Sequence, residues 1–552
     1  MATEPTPQRV YRTACPNCGA PVEFRSAASA FAVCSFCRST LVREGDALRR
    51  IGESAELFDD HSPLQLGAAG RHQGVAFTLI GRLQIRYAEG SWNEWHALFD
   101  NQQGGQKSGW LSEDNGQYVI GFEAPLDGDA VPKLEDLQAG ESRRVAGQVW
   151  SVASVVRARL AAAQGELPFP PDLVHEYLVA DLRNTRGEVG TLEEVVGPKA
   201  PAASPEGSGT ASGGRAPRWS IGRSVSLTEL VMTGLAEGSE RSLASRGISC
   251  PNCGAAIEPK LETTQSIVCP QCKSVVDISK GVGADLAFFK QGHPGVDGGE
   301  PQIPLGSTGS LMLGAAVKPW QVVGYVERCE LPEDADDERS YWREYLLYNR
   351  IEGFAFLVDA EDGWSWSRPI TGVPQSVGEH VKLGEVQYRP LYSYTGIVTY
   401  VLGEFYWRLR RDERTRNTDF QGTGANGRKR LNREQTVSEV VWSGGETLDA
   451  GAVATAFKLP QDRQAALQRD ALPISRSGGS GLLKGVIVFL VIVFIIIMLA
   501  RCGGDDCDDV RRTFGASSTE YRQCARSGGS GGGGYRTGGG SFGGFSSGGG
   551  HK

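Results

Sequence analysis

The chain has 552 residues, of which 40% are hydrophobic, so it has room for about three or four domains with ordinary cores and is not a wholly disordered protein. Its formal net charge is −8, and eight zinc-bound thiolates (−8) with two zinc ions (+4) would take that charge to about −12. This acidic balance disfavours a surface that tracks phosphates, so nucleic-acid binding would need a local basic patch.

Two cysteine clusters of identical spacing occur in the chain. Each has two CxxC pairs with fifteen residues between them, and the members are Cys15, Cys18, Cys34 and Cys37, and then Cys250, Cys253, Cys269 and Cys272. Structural zinc prefers four tetrahedral ligands, and a CxxC turn lets two thiolates reach one ion. The spacing therefore predicts two four-cysteine zinc ribbons, at 11–45 and 246–280, that hold two structural zinc ions.

Four thiolates per ion leave no coordination position for a catalytic water, so the predicted zinc sites serve folding or docking and not turnover. A redox-active CxxC is the alternative, but the sequence shows no thioredoxin-like βαβ context for it. Because zinc-bound thiolates must stay reduced, we expect most of the chain to face the cytoplasm.

The repeat extends well beyond the cysteines. Its landmarks are an [IV]-G-x-[LV] segment, a W-x-E-[WY] element and a late Gly-Glu pair, at 79–83 and 322–326, 92–95 and 342–345, and 165–166 and 403–404. The Gly-Glu pairs begin 150 residues after Cys15 (165 − 15) and 153 residues after Cys250 (403 − 250). Two copies of one domain are therefore predicted. The segments are β-rich repeat domains at 57–200 and 300–457 and flexible linkers at 201–222 and 458–481.

Inside each copy the pattern is mostly that of strands. Short segments rich in β-branched and aromatic residues lie at 77–87, 92–99, 321–329 and 341–348. Acidic segments at 113–116 and 361–363 are typical of hairpin turns. The predicted fold is mainly β (α+β), with an antiparallel sandwich-like or barrel-like sheet in each copy. Outside the membrane segment, a helical pattern is predicted only at 152–163.

An unbroken apolar run, GVIVFLVIVFIIIMLA, occupies residues 485–500. It predicts one transmembrane helix at 482–500, so the lipid bilayer is an expected partner. Basic residues are equally frequent on both sides of the run, and no signal peptide opens the chain. We therefore place the bulk of the chain in the cytoplasm and the Gly-rich low-complexity tail, 501–552, on the outside.

Two pairs of glutamates recur at equivalent places, Glu94 with Glu344 and Glu166 with Glu404. A carboxylate among large apolar groups can have a raised pKa and act as an acid or base, which makes Glu344 and Glu404 weak catalytic candidates. The alternative is that each glutamate accepts from backbone amides or pairs with an arginine at a strand edge. His96 lies near Glu94, but the second copy has no histidine at that place, and the common catalytic motifs are absent.

Four cysteines lie outside the clusters. Cys329 ends a predicted strand and is expected to be a small core residue. Cys502, Cys507 and Cys524 follow the apolar run. For these three, a disulfide, acylation of Cys502 and a cation site on the neighbouring aspartates are open alternatives.

A ribbon followed by a β-rich repeat with these motifs resembles a bacterial family of domains of unknown function that occur beside zinc ribbons. The resemblance covers roughly 15–200 and 250–457. The second copy is closer to the pattern, with Gly403-Glu404-Phe405-x-Trp407 and a later Glu434, whereas the first has Pro168 after its Gly-Glu motif. The resemblance implies an envelope-associated role without a known activity, and the two copies need not share one function.

Together these features predict a single-pass membrane protein that acts as a non-enzymatic cytoplasmic platform for protein partners, in envelope or membrane stress. Duplicated binding units on one anchor gain effective concentration for a multivalent partner. The first alternative is an enzyme or small-ligand-binding module that uses Glu344 and Glu404. The second alternative is nucleic-acid binding through the ribbons, which the acidic charge disfavours.

Overall fold

Strands account for almost all of the regular structure in the described part of the chain. The computed structural model describes residues 11–25, 29–44, 47–53, 62–88, 90–100, 106–126, 131–196, 217–236, 248–261, 264–278, 286–291, 300–331, 340–410 and 413–467. All of these residues belong to one compact unit. The mainly β prediction is therefore confirmed for them.

In the first half the strands are β1 (Tyr11–Ala14), β2 (Pro21–Phe24), β3 (Phe31–Val33), β4 (Ser39–Glu44), β5 (Ala47–Glu53), β6 (Ala69–His72), β7 (Val75–Tyr87), β8 (Ser91–Asp100), β9 (Gln106–Asp114), β10 (Gln117–Glu123), β11 (Ser142–Val145), β12 (Gln148–Leu167), β13 (Glu176–Arg183), β14 (Glu188–Val196) and β15 (Arg218–Val225). One 3-10 turn, Leu134–Asp136, precedes β11.

In the second half the strands are β16 (Ile248–Ser249), β17 (Ala256–Ile257), β18 (Ser266–Val268), β19 (Val275–Asp277), β20 (Phe288–Phe289), β21 (Thr308–Met312), β22 (Val317–Leu331), β23 (Tyr341–Asn349), β24 (Gly353–Ala360), β25 (Gly363–Ile370), β26 (Gln375–Val377), β27 (His380–Leu383), β28 (Val386–Phe405), β29 (Arg414–Gly422), β30 (Lys429–Gln435) and β31 (Val440–Leu448). A 3-10 turn at Gly424–Asn426 and the helices α1 (Ala450–Ala456) and α2 (Gln461–Leu467) complete this half.

Eight strands of the first copy form a closed antiparallel sheet. Neighbours pair in the order β12, β13, β14, β15, β10, β9, β8 and β7, and β7 pairs back with β12 to complete the circle. The closing pair places Gly81 opposite Gly165. Of the two arrangements expected from the sequence, the barrel-like sheet is the one that forms, and its closure removes edges that another chain could pair with.

The second copy repeats this topology strand for strand. The circle runs β28, β29, β30, β31, β25, β24, β23 and β22, and β22 closes on β28 with Gly324 opposite Gly403. In each copy the [IV]-G-x-[LV] segment therefore meets the Gly-Glu motif across the closing pair of strands, which we call the closing seam. The acidic segments lie at the β9–β10 and β24–β25 turns, as predicted.

Each ribbon is joined to its closed sheet through one long strand. β12 and β28 have 20 residues each, and their last residues pair with a strand of the ribbon. In the first copy, β3 pairs with β12 and places Ala32 opposite Glu166. In the second copy, β18 pairs with β28 and places Ile267 opposite Glu404. Ribbon and sheet thus share a backbone element.

The central strands bury both of their faces. Because side chains alternate along a strand, Trp92 and Glu94 of β8 face the inside of the closed sheet, while Trp95 faces outward. In the first copy, Trp95 packs with Phe77 and Leu230 in a core outside the circle. In the second copy the corresponding outer core includes buried residues of α1 and α2.

Cys329 is 1% exposed in β22 and is the core residue that we expected.

The helix predicted at 152–163 is wrong, because these residues lie within strand β12. The alanines of this segment favour a helix locally, but β13 and β7 flank it and pair with its backbone. Tertiary pairing on both edges outweighs the local propensity of a few alanines.

Both predicted linkers contribute regular structure. Residues 218–222 of the linker at 201–222 begin β15, which belongs to the first closed sheet, so that domain extends beyond 200. Residues 461–467 of the linker at 458–481 form α2, and Leu467 is fully buried in the second core. Residues 201–216 and 468–481 of these linkers lie outside the described residues.

Among the described residues, which end at 467, no helix has the length and apolar character needed to cross a membrane. The predicted transmembrane helix at 482–500 lies outside these residues, as do the tail at 501–552 and its three cysteines. Membrane anchoring therefore stays a prediction.

The two copies are in direct contact with each other. Ser154 of β12 forms an isolated antiparallel bridge with Glu439, just before β31. The guanidinium of Arg350 donates to the carbonyl oxygen of Ala236 at 3.1 Å. The tandem is therefore a packed pair rather than two separately tethered domains.

Candidate metal centres and the buried carboxylates

Four sulfur atoms converge in each ribbon. In each cluster all four Sγ atoms lie within 4.8 Å of one another. The closest pairs are Cys15 with Cys37 at 3.6 Å, Cys18 with Cys34 at 3.7 Å, Cys250 with Cys272 at 3.6 Å and Cys253 with Cys269 at 3.8 Å. Four sulfurs at about 2.3 Å from one ion form a tetrahedron with edges of about 3.8 Å, whereas a disulfide is about 2.05 Å long. Both clusters fit a four-thiolate metal site, a donor set that suits zinc.

Local hydrogen bonds shape each knuckle. In the first ribbon, the amide of Gly19 donates to the carbonyl oxygen of Cys15 at 2.8 Å, which closes the CxxC turn. The Sγ atom of Cys37 lies 3.3 Å from the hydroxyl of Ser39. Ser39, together with Asn17, lowers the pKa of Cys37 to about 5. These hydrogen bonds favour the thiolate form of Cys37, which is the form that binds metal.

Glu404, one of the two catalytic candidates, anchors the second ribbon. Its carboxylate accepts from the amides of Lys260 and Leu261 at 2.9 Å and from the hydroxyl of Thr264 at 2.8 Å. In the first copy, Glu166 accepts from the amide of Arg25. Both glutamates hold the segment that joins the two CxxC pairs of a ribbon. Both therefore accept from backbone amides, which is the structural role predicted as the alternative to catalysis.

The glycine of the Gly-Glu motif is required by the closing seam. Gly403 has a φ of +90°, and a Cβ atom at this position would lie 2.2 Å from the carbonyl oxygen of Val323. Gly165 has a φ of +73°, and its Cβ atom would lie 2.3 Å from the carbonyl oxygen of Ile80. The two backbones can approach in this way only where no side chain intervenes.

Replacing Gly403 with alanine is expected to lower the free energy of unfolding by about 1–3 kcal/mol, because a backbone clash adds to left-handed strain. The matched control is Gly378→Ala, where φ is +60° and a Cβ atom meets nothing within 4 Å. That control should lose only the strain, about 1 kcal/mol. Urea unfolding of the two variants measures the difference, and equal losses would contradict a clash at the seam.

Glu344, the other catalytic candidate, lies inside the second closed sheet and is fully buried. Its carboxylate accepts from the indole nitrogen of Trp342 at 2.8 Å. In the first copy, Glu94 accepts from the indole nitrogen of Trp92 at 3.0 Å and from the hydroxyl of Ser112 at 2.6 Å. The W-x-E motif is therefore a hydrogen bond between residues on the same face of one strand.

An arginine that the sequence analysis missed completes the second interior. The Nε atom of Arg328 lies 3.5 Å from Glu344, and its Nη1 atom lies 3.4 Å from Glu434. The side chains of all three residues are at most 4% exposed. Burial lowers the pKa of Arg328, but the two carboxylates outweigh burial and raise it above its ordinary value. The group stays charged, as a compensated buried triad requires.

The triad could have been detected by comparing the copies. Strand register places Arg328 opposite Trp342, as it places Ile85 opposite Trp92 in the first copy. A charged residue therefore takes the inward position of an isoleucine. Such an exchange in an otherwise matching repeat signals a buried ion pair.

Both ring nitrogens of His96 have hydrogen-bond partners within the fold. Its Nδ1 atom lies 2.9 Å from the carbonyl oxygen of Glu166, and its Nε2 atom lies 2.9 Å from the hydroxyl of Ser108. Because a carbonyl oxygen only accepts, Nδ1 carries the proton and Nε2 accepts from Ser108. Burial lowers the pKa of His96. The ring is thus a neutral structural group that links β8 to the Gly-Glu motif.

A family model described as Domain of unknown function (DUF4178) matches the chain at 65–227 and again at 305–450, more than half of its length. The chain belongs to this family. The two closed sheets are the tandem DUF4178 domains of this chain. A four-cysteine cluster precedes each matched segment. The predicted tandem of unknown-function domains beside ribbons is confirmed. No curated protein and no solved structure was found to match the chain.

Proposed function

We propose that the protein is a non-enzymatic scaffold at a membrane. It presents two DUF4178 domains, each joined to a zinc ribbon, to protein partners. The observation that carries this proposal is the structural use of the candidate acids. Glu404 accepts from the ribbon backbone, and Glu344 accepts from Trp342 and pairs with Arg328. Closed sets of four thiolates likewise offer no position for a reacting water. An envelope or membrane-stress role is part of the proposal and follows from the family resemblance.

The membrane tether in this proposal is the apolar segment at 482–500, with the bulk of the chain in the cytoplasm and the tail outside. Its length suits a single helical span. The full-length protein is expected to stay with membranes through an alkaline carbonate wash. A variant with Val491→Arg and Ile495→Arg should be released, because two charges at mid-bilayer are costly. Release of the unaltered protein would remove the tether from the proposal.

The first ribbon offers the surface best suited to a protein partner. Phe36 stands between Cys34 and Cys37 and is 71% exposed. A large aromatic side chain on a knuckle fixed by metal can act as an anchor in a partner's pocket. The second ribbon has Gln271 at the equivalent place, so the docking surface belongs to the first ribbon.

The replacement Phe36→Gln gives the first knuckle the residue of the second. We expect it to weaken binding of the partner that crosslinks to the unaltered protein in membranes by at least about tenfold, because an aromatic anchor is lost. Zinc content and unfolding should not change. Val174→Gln is the matched control, since Val174 is 86% exposed but lies outside the ribbon. Equal affinity of the purified partner for Phe36→Gln and for the unaltered protein would exclude this docking surface.

A further inference from the structure

The first closed sheet encloses a cavity of about 100 Å³. Alternate residues of all eight strands line it, and the walls are mainly apolar and aromatic, including Trp92, Trp110 and Tyr177. The loop between β12 and β13 covers one end. There the ring of Phe169 lies 5.7 Å from Trp110, and the guanidinium of Arg218 lies 4.4 Å from the Phe169 ring centre. The cavity is of the order needed for a small organic molecule.

Four acidic residues line this mainly apolar space, Glu94, Glu123, Asp172 and Glu193, and Arg218 lines it as well. Two of the four, Glu94 and Glu193, carry the argument. Glu94 is 4% exposed and is oriented by Trp92 and Ser112. Glu193 of β14 also lines the cavity, with one oxygen 3.8 Å from Arg218. Carboxylates in a low-dielectric cavity favour a ligand that brings a positive charge and hydrogen-bond donors.

The second copy shows what these two positions can hold. Strand register aligns Glu94 with Glu344 and Glu193 with Glu434. In the second copy, the guanidinium of Arg328 lies between the two carboxylates, at 3.5 Å and 3.4 Å. The interior of the second copy therefore contains a guanidinium that lies between the two glutamates equivalent to Glu94 and Glu193.

The first copy has smaller groups at the two places that fill the second interior. Ile85 takes the position of Arg328. Phe169, two residues after the end of β12, takes the position of Trp407, two residues after the end of β28. Trp407 is fully buried, whereas Phe169 is half-buried. Where the second copy carries an arginine and a buried tryptophan, the first has a cavity.

We propose that the first DUF4178 domain binds a small organic cation, with a guanidinium or amidinium head on a short apolar stem, inside its closed sheet. The head lies between Glu94 and Glu193, in the place that the Arg328 side chain takes in the second copy. The stem packs against Trp92 and Leu160. A planar fork of N–H donors matches two carboxylates better than an ammonium does. The ligand enters past Phe169.

The probe is n-propylguanidinium, and n-propylurea is its neutral control of nearly the same shape. Titration of the full-length protein by calorimetry and ligand-observed NMR should give one site for the guanidinium, with a Kd on the order of 1 mM, as expected for so few atoms. The urea should bind at least tenfold more weakly. Equal binding of both compounds would overturn the proposal. So would no binding of the guanidinium at a ligand concentration of roughly ten times the expected Kd.

Two variants locate the site. Ile85→Arg places the second copy's internal guanidinium in the first copy and should abolish binding, and Glu94→Gln should weaken it at least tenfold. Glu176→Gln removes an exposed carboxylate of the same sheet and should leave binding unchanged. If Ile85→Arg does not fold, Glu94→Gln and Glu193→Gln decide the question. Retained binding in both of those variants would refute the site.

Discussion

Replacing Cys269 with serine is expected to remove one of the two zinc ions that the four-cysteine clusters would hold and to unfold the second ribbon. Structural zinc contributes an apparent binding free energy on the order of 10–16 kcal/mol, most of which a three-thiolate site cannot supply. The loss should spread into the closed sheet, because β18 leads into Cys269 and pairs with β28. Elemental analysis counts the ions, and hydrogen exchange of β18 and β28 reports the unfolding.

Cys329→Ser is the matched control for this experiment. Cys329 is 1% exposed, close to the 0% of Cys269, but it belongs to neither cluster. The control should keep two zinc ions, and its only loss should be the small cost of a hydroxyl in a core. Two ions per chain in Cys269→Ser would contradict the assignment of this cysteine as a ligand.

Replacing Arg328 with isoleucine, the residue of the first copy, is expected to lower the free energy of unfolding by about 3–5 kcal/mol. The variant leaves Glu344 and Glu434 buried without the guanidinium that lies 3.5 Å and 3.4 Å from them. Urea unfolding measures the loss. Arg389→Ile, at an exposed arginine of β28, should change stability by less than about 0.5 kcal/mol.

The pH dependence of Arg328→Ile provides a second readout. Without the guanidinium, burial raises the folded-state pKa values of both carboxylates, so the folded protein binds protons more tightly than the unfolded chain. Stability should then rise as the pH falls toward these pKa values, since a raised acid pKa favours folding when the acid is protonated. Adding Glu344→Gln should restore part of the loss at neutral pH. A pH-independent deficit would show that the arginine acts through packing alone.

The ribbons could be predicted almost completely from the sequence. Zinc coordination by CxxC is a local property, because each pair of thiolates comes from one turn, and only the approach of the two turns is long-range. The spacing therefore predicts the grouping of four sulfurs that the structure shows in both ribbons. Strand content was equally accessible, since β-branched and aromatic residues with Gly-rich turns mark it in both copies.

The segment at 152–163 shows where local reasoning fails. Its alanines give it helix propensity, and only the pairing with β7 and β13 makes it a strand. β7 is distant from this segment in sequence, and β13 is separated from it by a loop. A short stretch of sequence therefore does not contain the strand pairing that decides the structure. Propensity is a weak guide wherever a strand is paired on both edges.

The roles of the recurring motifs could be predicted only in part from the sequence, which left catalysis and acceptance from backbone amides as alternatives. The Gly-Glu motif looked like a catalytic candidate because Glu404 stands among large apolar residues. Its function became visible only when the closing seam placed Gly403 beside Val323 and the ribbon amides beside Glu404. Arg328 was missed because the motifs were compared for likeness, whereas its significance lies in a difference from Ile85.

The 20-residue strands β12 and β28 constrain how this protein could have evolved. A gene duplication limited to one closed sheet would have left the end of the copied long strand with an exposed edge, and exposed edges invite aggregation. Copying the ribbon with the sheet covers that edge at once. The repeated unit of this chain is therefore the four-cysteine ribbon together with its closed sheet.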